Sequence, residues 1–257
     1  MMGNLKSKLE NRKIVFGTFV KMSTVNTIEI LGELKYDFIV LDMEHSPLGF
    51  ESVEKMVIVA DKSGLGTIIR IPDKQDHLIV RALDLGCDGV QIPLIENSNE
   101  AKKVADGGRY HPIGRRSLSL ATRGARYGFT GYDGHTINSN RNQIIAVQIE
   151  SWEAVQQSEP IAATEGIDVL FVGPADLSQS LGITGQVSNQ KITEGLEITG
   201  RAARKYGKVL GTHVSTLSDA EKALRCGVTY LVYSTDIGLF LKGAESTLIG
   251  IAGLLGK

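Results

Sequence analysis

The sequence has no excess of charge of one sign, few cysteines and no long apolar run. Its 28 lysine and arginine residues are interleaved with 29 aspartate and glutamate residues, and the formal net charge is −1. This balance provides no basic field to hold a nucleic acid backbone or an anionic membrane. No apolar stretch approaches the roughly 20 residues of a membrane span. The N-terminus also lacks the apolar core of a secretory signal.

Cysteine is nearly absent, with only Cys87 and Cys226 among 257 residues. Each stands beside a glycine, where a helical pattern passes into a strand-like one. Two such residues do not form a disulfide framework, so two free thiols in a reducing compartment are the expected state. Together these absences predict a soluble, cytoplasmic protein without nucleic acid or membrane partners.

The chain does have a regular alternation of apolar runs and helical patterns, with short turns and no linker-like stretch. Eight strands are predicted, at 14–20, 38–41, 66–71, 89–93, 144–150, 168–173, 209–214 and 230–234. Regular alternation predicts a parallel sheet with helices outside, and eight units in about 250 residues predict a (β/α)₈ TIM barrel. Residues 1–257 would form this one domain. A doubly wound open sheet is the main alternative, but the GxGxxG turn of its dinucleotide-binding version is missing.

Helices are predicted between the strands, with Ser23 and Asn97 as plausible N-caps of two of them. From 107 to 142 the chain is rich in Gly, Arg, Tyr, Asn and Ser and shows little periodicity. This pattern predicts a long loop after strand four, and long loops in compact domains tend to be functional. A Leu- and Gly-rich helix closes the chain.

In a barrel, the carboxyl ends of the strands converge on one face, the mouth, which carries the functional side chains. The polar residues predicted there are Asp42, Glu44, His45, Arg70, Gln148, Glu150, Asp176 and His213. Side chains alternate along a strand, so Gln148 and Glu150 are expected to point into the mouth and Ile149 away from it.

Glu150 and Asp176 are the strongest candidates for a metal site. Each follows a strongly apolar strand, where an unpaired carboxylate is costly to desolvate. Two carboxylates from adjacent strands form a hard oxygen site suited to Mg²⁺ or Mn²⁺. Alternatively, each pairs with an arginine or caps the following helix.

His45 and Arg70 are candidates for proton transfer and anion binding. Asp42, three residues before His45, could hold one ring nitrogen and raise the basicity of the other, as suits a general base. The alternative is a surface histidine. Arg70 interrupts an apolar strand and needs an anionic partner, either a substrate carboxylate or an ion pair with Glu150 or Asp42. Gly173 and Ala175 could add backbone N–H groups to the same anion.

Other polar residues carry weaker signals. His77, His111 and His135 have no convincing partner in the sequence, and His213 is compatible with a place in the mouth or with a structural role. The arginines of the GRRS and TRGARYG segments are expected to be solvated or paired with acids.

Several motifs together resemble the metal-dependent class II pyruvate aldolases, typified by 4-hydroxy-2-oxoheptanedioate aldolase and 2-keto-3-deoxyglucarate aldolase. They are GTFVK near Gly17, DMEHSP from Asp42, RIP from Arg70, ALDLGCDGVQIP, RYHPIGRRS, QIE ending at Glu150, and FVGPADLSQSLG around Asp176. They occur in this order from about residue 14 to beyond residue 182. DMEHSP and FVGPADLSQSLG are the most specific.

The resemblance implies a (β/α)₈ barrel in which Glu150 and Asp176 bind a divalent metal ion (Mg²⁺, Mn²⁺ or Co²⁺). It implies that Arg70, with N–H groups near Gly173 and Ala175, holds the pyruvate carboxylate, and Gln148 is expected to contact the substrate. It further implies that His45 acts as base with help from Asp42, and that Asp84 reaches a neighbouring subunit's histidine. Family members assemble as hexamers, trimers of dimers that exchange the last helix.

The expected reaction is reversible retro-aldol cleavage of a 4-hydroxy-2-oxo acid to pyruvate and an aldehyde. The metal would stabilise the enolate and His45 would take the C4 hydroxyl proton. A lysine Schiff base is not needed, and no lysine is expected at the end of a central strand. Alternatives are a related lyase acting on a malyl- or citramalyl-type CoA thioester and a non-catalytic keto-acid-binding barrel. The 110–115 and 122–132 segments depart from the family pattern, which leaves the aldehyde open.

Overall fold

The computed structural model of the protein describes residues 4–11 and 13–255. Eight parallel strands close into a barrel in chain order, with β8 pairing back to β1. The strands are β1 Val15–Val20, β2 Phe38–Asp42, β3 Gly66–Arg70, β4 Gly89–Ile92, β5 Ile144–Ile149, β6 Val169–Val172, β7 Val209–Val214 and β8 Tyr230–Thr235. The predicted barrel is confirmed, and the open-sheet alternative is excluded because β1 and β8 are hydrogen-bonded.

Helices surround the barrel. They are α1 Asn4–Glu10, α2 Val25–Glu33, α3 Phe50–Lys62, α4 Asp76–Asp84, α5 Ser98–Gly108, α6 Gly131–Asn142, α7 Trp152–Gln156, α8 Ser158–Ala162, α9 Pro174–Ser180, α10 Gln190–Lys205, α11 Leu217–Arg225 and α12 Asp236–Leu254, with a 3₁₀ turn at Arg126–Gly128. Asn97 caps α5 by accepting from Glu100 N at 3.1 Å, as predicted. Ser23 is not a cap, because Thr24 occupies the N-cap position of α2.

Two apolar cores follow from the period-two alternation of side chains along each strand. The inner core fills the barrel with residues such as Val40, Ile68 and Phe171, and Leu5 and Leu9 of α1 close its lower end. The outer core lies between the strands and the helices and contains the intervening residues, such as Leu41, Ile69, Val147, Ile149 and Val172. Polar side chains on the inner set at the carboxyl ends of the strands therefore face the mouth.

An aspartate recurs at the lower ends of three strands, where it binds the preceding strand. Asp37, Asp88 and Asp168 each stand just before or at the start of a strand. Each accepts a hydrogen bond from a main-chain N–H of the preceding strand, at 3.0, 2.8 and 2.8 Å. Desolvation raises the pKa of Asp88, and its hydrogen bonds with Thr67 oppose this shift. These three aspartates thus share a physical role, which is to fix the register of neighbouring strands.

The segment from 107 to 142 is more ordered than the sequence pattern predicts. Its second part forms the helix α6, so the prediction of irregular structure is wrong there. The buried side chains of α6 are the polar His135 and Ser139, not an apolar stripe. Hydrophobic periodicity therefore gives no signal of this helix.

The last helix, α12, is 19 residues long and has a mean hydropathy of 1.4. By length and composition alone it would reach across a membrane, which corrects the expectation that no stretch approaches that length. None of its apolar window is buried in this chain, and Phe240, Leu248 and Leu254 are 72%, 69% and 84% exposed. Such a face requires a cover that the described part of the chain does not supply.

Candidate active site

The predicted polar side chains meet at the mouth because neighbouring strands end in register. Asp42 at the end of β2 lies directly opposite Arg70 at the end of β3, and Arg70 lies opposite Gln91 of β4. Gln148 donates from Nε2 to Glu150 Oε1, while Ile149 packs into the outer core. This confirms that Gln148 and Glu150 share one side of β5.

Arg70 and Asp42 form a buried two-pronged ion pair. Arg70 Nε and Nη2 donate to the two Asp42 oxygens at 2.9 and 2.7 Å, and the residues are 7% and 0% exposed. Burial alone would raise the pKa of Asp42, but the hydrogen bonds and positive charge of Arg70 outweigh it and hold the pKa below its usual range. Of the two partners predicted for Arg70, Asp42 is therefore the one observed. Arg70 also stacks over the Phe19 ring at 4.4 Å.

Asp42 does not hold the His45 ring, which corrects the sequence-based expectation. Asp42 Oδ1 instead accepts from the main-chain N–H groups of Glu44 and His45, both at 3.1 Å. The two carboxylate oxygens are thus already occupied by Arg70 and the turn. The His45 ring is 55% exposed, with Nε2 3.8 Å from Glu44 Oε2. Asp42 positions the turn that carries His45, while the ring itself faces the open mouth.

Lys21 is a mouth residue that the motif analysis left without a role. It directly follows β1, and its Nζ lies 3.1 Å from Asp42 Oδ2. Lys21 therefore lies at the mouth but outside β1, which ends at Val20. The main-chain N–H groups of Lys21 and Met22 donate to Asp236 at 3.0 Å, which ties the end of β1 to the start of α12. The ion pair with Asp42 occupies the lysine as a cation rather than leaving it free as a nucleophile.

Three carboxylates, Glu44, Glu150 and Asp176, form a cluster on the other side of Arg70. Burial raises the pKa of Glu150 to about 7, with the hydrogen bond from the Leu94 N–H acting against this shift and the negative charges of Asp176 and Glu44 contributing to it. Burial also raises the pKa of Glu44, helped by Asp42 and Asp176 and opposed by Arg70 and His45. Glu150 Oε2 accepts from Leu94 N at 3.0 Å. The raised pKa values of Glu150 and Glu44 follow first from burial, to which the neighbouring carboxylates add.

Unsatisfied acceptors point into the same space. Glu44 Oε2 and Gln148 Oε1 are buried and have no hydrogen-bond partner in the described part of the chain, although Glu44 Oε2 lies 3.2 Å from Arg70 Nη1. Asp176 stands in the first turn of α9, which has no side-chain N-cap hydrogen bond. Unpaired oxygen acceptors beside carboxylates fit a hard divalent cation. Among residues 4–11 and 13–255, no group of three or more His, Cys, Asp or Glu side chains is arranged to hold a metal ion. Glu150 and Asp176 would thus supply two ligands and leave the others to water and substrate.

The loop between β6 and α9 does not offer both of the main-chain N–H donors expected at Gly173 and Ala175. Gly173 instead leaves space for the Glu150 side chain. The Gly173 N–H donates to Ile149 O at 3.2 Å, so it is not available to a substrate anion, which corrects that expectation. Ala175 lies in the first turn of α9, where N–H groups lack an intrahelical acceptor. A Cβ built on Gly173 would stand 2.7 Å from Glu150 Oε1. Glycine at this position therefore allows Glu150 to adopt its orientation.

A methyl group at Gly173 tests this geometry. We expect Gly173→Ala to displace the Glu150 carboxylate and to weaken Mn²⁺ binding about tenfold or more, the size of effect seen when supports of metal ligands are lost. Titration calorimetry with Mn²⁺ measures the change. Gly134→Ala on α6 is the matched control, because its Cβ would meet only an ordinary contact at 3.4 Å. Unchanged Mn²⁺ affinity in Gly173→Ala would contradict the placement of Glu150.

His213 forms the β7 side of the mouth. Burial lowers its pKa to about 4, and the charges of Arg70 and Lys21 act in the same direction against a hydrogen bond to the Ser234 main chain. Its ring centroid lies 5.7 Å from that of Phe19. Nε2 is buried and has no hydrogen-bond partner among the described residues. The sequence left two interpretations of His213 open, a place in the mouth or a structural role, and the structure favours the place in the mouth.

The lowered pKa of His213 predicts a pH-dependent stability. Between pH 6.5 and 4 the unfolded state binds the proton and the folded state does not, so stability falls as pH drops through this window. The contribution lost is about 3 kcal/mol at 1.36 kcal/mol per pKa unit. Urea unfolding at pH 7 and pH 4.5 should show a smaller pH effect in His213→Leu than in the wild type. His77→Leu, at an exposed position on α4, controls for the substitution. An equal pH effect in both variants and the wild type would contradict the buried neutral state.

Asp84 lies at the far end of the barrel from the mouth, because α4 runs opposite to β3 and Asp84 is its last residue. Its Oδ1 accepts from Arg116 Nη2 at 2.6 Å. Within its own chain, Asp84 therefore cannot reach His45. A catalytic role for Asp84 requires a second subunit, as the family resemblance implies.

The loop residues mostly pair with one another or with acids, as expected. Arg116 and Arg123 bind Asp84 and Asp61. His135 does have a partner, which corrects the sequence-based view, since Tyr110 Oη lies 3.0 Å from its Nε2. Burial lowers the pKa of His135, and the charge of Arg116 acts in the same direction.

Cys87 and Cys226 are free thiols, and burial raises the pKa of Cys87 to about 12.

A barrel mouth that gathers acidic side chains around one buried arginine suits a small anionic substrate and a cation, the setting of carbon–carbon lyases that act on keto acids. Residues 15–254 match the HpcH/HpaI aldolase/citrate lyase family, and the chain belongs to this family. Its motifs had indicated this resemblance. The protein is accordingly a carbon–carbon lyase of the class II pyruvate aldolase type, as predicted.

Known proteins are similar to this chain over almost its whole length. The 5-keto-4-deoxy-D-glucarate aldolase of Klebsiella pneumoniae is 32% identical over 240 residues, which is 93% of each chain. The HpcH/HpaI aldolase from Desulfitobacterium hafniense superposes with a TM-score of 0.93 at 28% identity, covering 98% of this chain and 97% of that one. An HpcH/HpaI aldolase/citrate lyase family protein from Burkholderia cenocepacia superposes with a TM-score of 0.91 at 26% identity, covering 97% and 99%.

Proposed function

We propose that the mouth catalyses reversible retro-aldol cleavage of a 4-hydroxy-2-oxo acid to pyruvate and an aldehyde, with the keto-acid half bound between Arg70 and the carboxylate cluster. The observation that carries this assignment is the pair of buried oxygen atoms without hydrogen-bond partners, Glu44 Oε2 and Gln148 Oε1, beside the Glu150 carboxylate and the buried Arg70. A cation and an anionic substrate would together neutralise both halves of this arrangement. The aldolase names of the relatives support the same reaction class.

Glu150 and Asp176 would hold a divalent metal ion, Mg²⁺, Mn²⁺ or Co²⁺. When bound, the metal would supply Lewis-acid stabilisation of the negative charge that develops on the 2-keto oxygen. The Gln148 amide holds the Glu150 carboxylate from one side, and the Leu94 N–H holds it from the other. The unpaired Gln148 Oε1 also stands ready to accept a hydrogen bond from bound water or substrate.

Arg70 would bind the substrate carboxylate. Its Nε and Nη2 are committed to Asp42, which fixes the plane of the guanidinium group. Nη1 lies 3.2 Å from Glu44 Oε2 without hydrogen-bond geometry, so it is the part of the group that can engage an anion. The first-turn N–H of Ala175 would provide a second donor.

His45 would take the proton from the C4 hydroxyl group as the C3–C4 bond breaks and return it in the aldol direction. Its ring is exposed at the mouth on a turn fixed by Asp42. Asp84 of a neighbouring subunit would orient this ring, since the chain's own Asp84 lies at the other end of the barrel. The complete site would then need the oligomer.

The uncovered apolar face of α12 supports association with a second copy of the chain, and we extend this, on the family resemblance, to a cytoplasmic hexamer made of three dimers that exchange this helix. The exposed apolar window of α12 would be buried against the partner. Light scattering after size-exclusion chromatography should then give six times the 27.8 kDa chain mass. A monomer that retains activity would contradict both the assembly and the role of Asp84.

An aldehyde panel tests the function directly. Pyruvate, Mn²⁺ and a set of aldehydes are incubated with enzyme, and aldol products are identified by mass spectrometry. We expect product with at least one aldehyde, and none with Glu150→Gln. Absence of product with every aldehyde, together with tight pyruvate binding, would favour the non-catalytic keto-acid-binding barrel. Turnover that depends on a CoA thioester would favour the other lyase class.

A further inference from the structure

We propose that His213 determines substrate specificity by accepting a hydrogen bond, through Nε2, from a hydroxyl group of the aldehyde half of the substrate. The protein would therefore prefer hydroxylated aldehydes to plain alkyl aldehydes. This inference rests on the proposed aldolase function and adds the chemical class of the aldehyde. The sequence motifs assign no function to His213.

The position of His213 places it in the mouth. Along β7, Gly211 faces the barrel interior, where its Cβ would meet Tyr230 and Phe171, and His213 stands two residues further towards the mouth on the same face. It pairs in register with Val232 of the inner core. The ring lies beside Phe19, and the Arg70 guanidinium group also lies over the Phe19 ring. His213 is thus one aromatic ring away from the residue proposed to bind the keto acid.

The charge state and tautomer of His213 follow from its surroundings. Arg70 and Lys21 are the charged groups that act on it, and both disfavour a second positive charge, as does burial. The ring is hydrogen-bonded to the Ser234 main chain, and because Nε2 has no partner in the described part of the chain, Nδ1 is the bonded nitrogen and carries the proton that it donates. Nε2 is then the unprotonated nitrogen of a neutral imidazole and can only accept.

This acceptor has no donor within the described part of the chain. Buried polar atoms are usually satisfied, and an unpaired acceptor is unfavourable until a donor arrives. Beside a substrate site, the donor that fits is a hydroxyl group rather than a carboxylate or a ketone, since neither of those carries a proton. An alkyl aldehyde would leave Nε2 unpaired, and this penalty would produce the selectivity.

The experiment compares aldehydes that differ by one hydroxyl group. Pyruvate is added to propanal, 2-hydroxypropanal and 3-hydroxypropanal with Mn²⁺, and kcat/KM is measured for each aldehyde. We expect the wild type to favour at least one hydroxyaldehyde over propanal about fivefold or more, the value of one neutral hydrogen bond. In His213→Leu this ratio should fall to about one. His77→Leu, on the exposed surface of α4, should keep the wild-type ratio.

A second pair of variants covers the case in which His213→Leu does not fold. His213→Gln can place an amide oxygen near the position of Nε2, whereas His213→Asn is too short, so the hydroxyaldehyde ratio should be higher in Gln than in Asn. The inference is overturned if His213→Leu retains the wild-type ratio or if Gln and Asn give the same ratio. It is also overturned if the wild type shows no preference.

Proton exchange separates this inference from the proposed function. Exchange of the pyruvate methyl protons for deuterium, followed by NMR with the wild type and Mn²⁺, needs only the keto-acid half of the site. No exchange would mean that the proposed function has failed. Exchange with no hydroxyl preference would leave the aldolase function standing and reject the role of His213.

Discussion

Glu150→Gln is expected to lower kcat for aldol cleavage by about a thousandfold or more. Glu150 is one of the two proposed metal ligands, and a neutral amide removes the charge that holds the cation. The amide also conflicts with its neighbours, because both Glu150 oxygens accept from N–H donors, one from Gln148 and one from Leu94. One of those donors would then face another donor.

Two measurements on Glu150→Gln are needed, pyruvate release and Mn²⁺ binding by calorimetry, because both should be lost together. Glu153→Gln provides the matched control, since Glu153 is exposed on α7 only three residues away. It should retain both properties. A Glu150→Gln protein that binds Mn²⁺ with wild-type affinity would contradict the assignment of this ligand. Normal turnover by the variant would contradict its role in the reaction.

His45→Ala is expected to reduce kcat about a hundred- to ten-thousandfold, the range of contribution of a general base. The ring stands exposed at the mouth, and its Nε2 lies 3.8 Å from Glu44 Oε2. Loss of the side chain should therefore remove proton transfer without disturbing the buried Arg70–Asp42 pair. Metal binding, which relies on other residues, should remain within about twofold of the wild type.

Steady-state pyruvate release from a 4-hydroxy-2-oxo acid, followed across pH 5–9, measures the effect of His45→Ala. His77→Ala on α4 is the control for removal of an exposed histidine. A variant with wild-type turnover would show that His45 is not the base. If Asp84→Asn slows the reaction while the oligomer stays intact, the neighbouring subunit participates in the same step.

The sequence predicted the barrel and the convergence of the site, because both depend on local patterns. Period-two alternation placed Gln148 and Glu150 on one face of β5, and the apolar strand before Asp42 marked a buried strand end. These features are determined by neighbours within a few residues. The register of adjacent strands then brings Asp42 opposite Arg70 without any further information.

What the sequence could not predict depends on contacts between distant elements. Asp42 precedes His45 by three residues, so a contact with the ring was a reasonable expectation, but Arg70 on the next strand takes the carboxylate instead. Lys21 lies only one residue beyond β1, and its contact with Asp42 becomes visible once the barrel closes. The Gly173 N–H is used by Ile149 of the neighbouring strand, which a loop motif does not show.

The helices also divide into features that local sequence patterns predict and features that depend on distant contacts. α6 buries polar side chains, so its pattern has no apolar stripe to detect, and α1 is too short for a periodic signal although Leu5 and Leu9 close the barrel. α12 is readable as a helix, but its exposure is a property of the assembled fold. Single-chain patterns therefore say little about which surfaces are covered by another copy.

Pyruvate release under chelation tests the central claim most directly. The enzyme is dialysed against excess EDTA, assayed with a 4-hydroxy-2-oxo acid, and assayed again after addition of Mg²⁺, Mn²⁺ or Co²⁺. We expect activity to disappear on chelation and to return with at least one of the three ions, because the proposed reaction uses a cation held by Glu150 and Asp176. Full activity in excess EDTA would contradict the account.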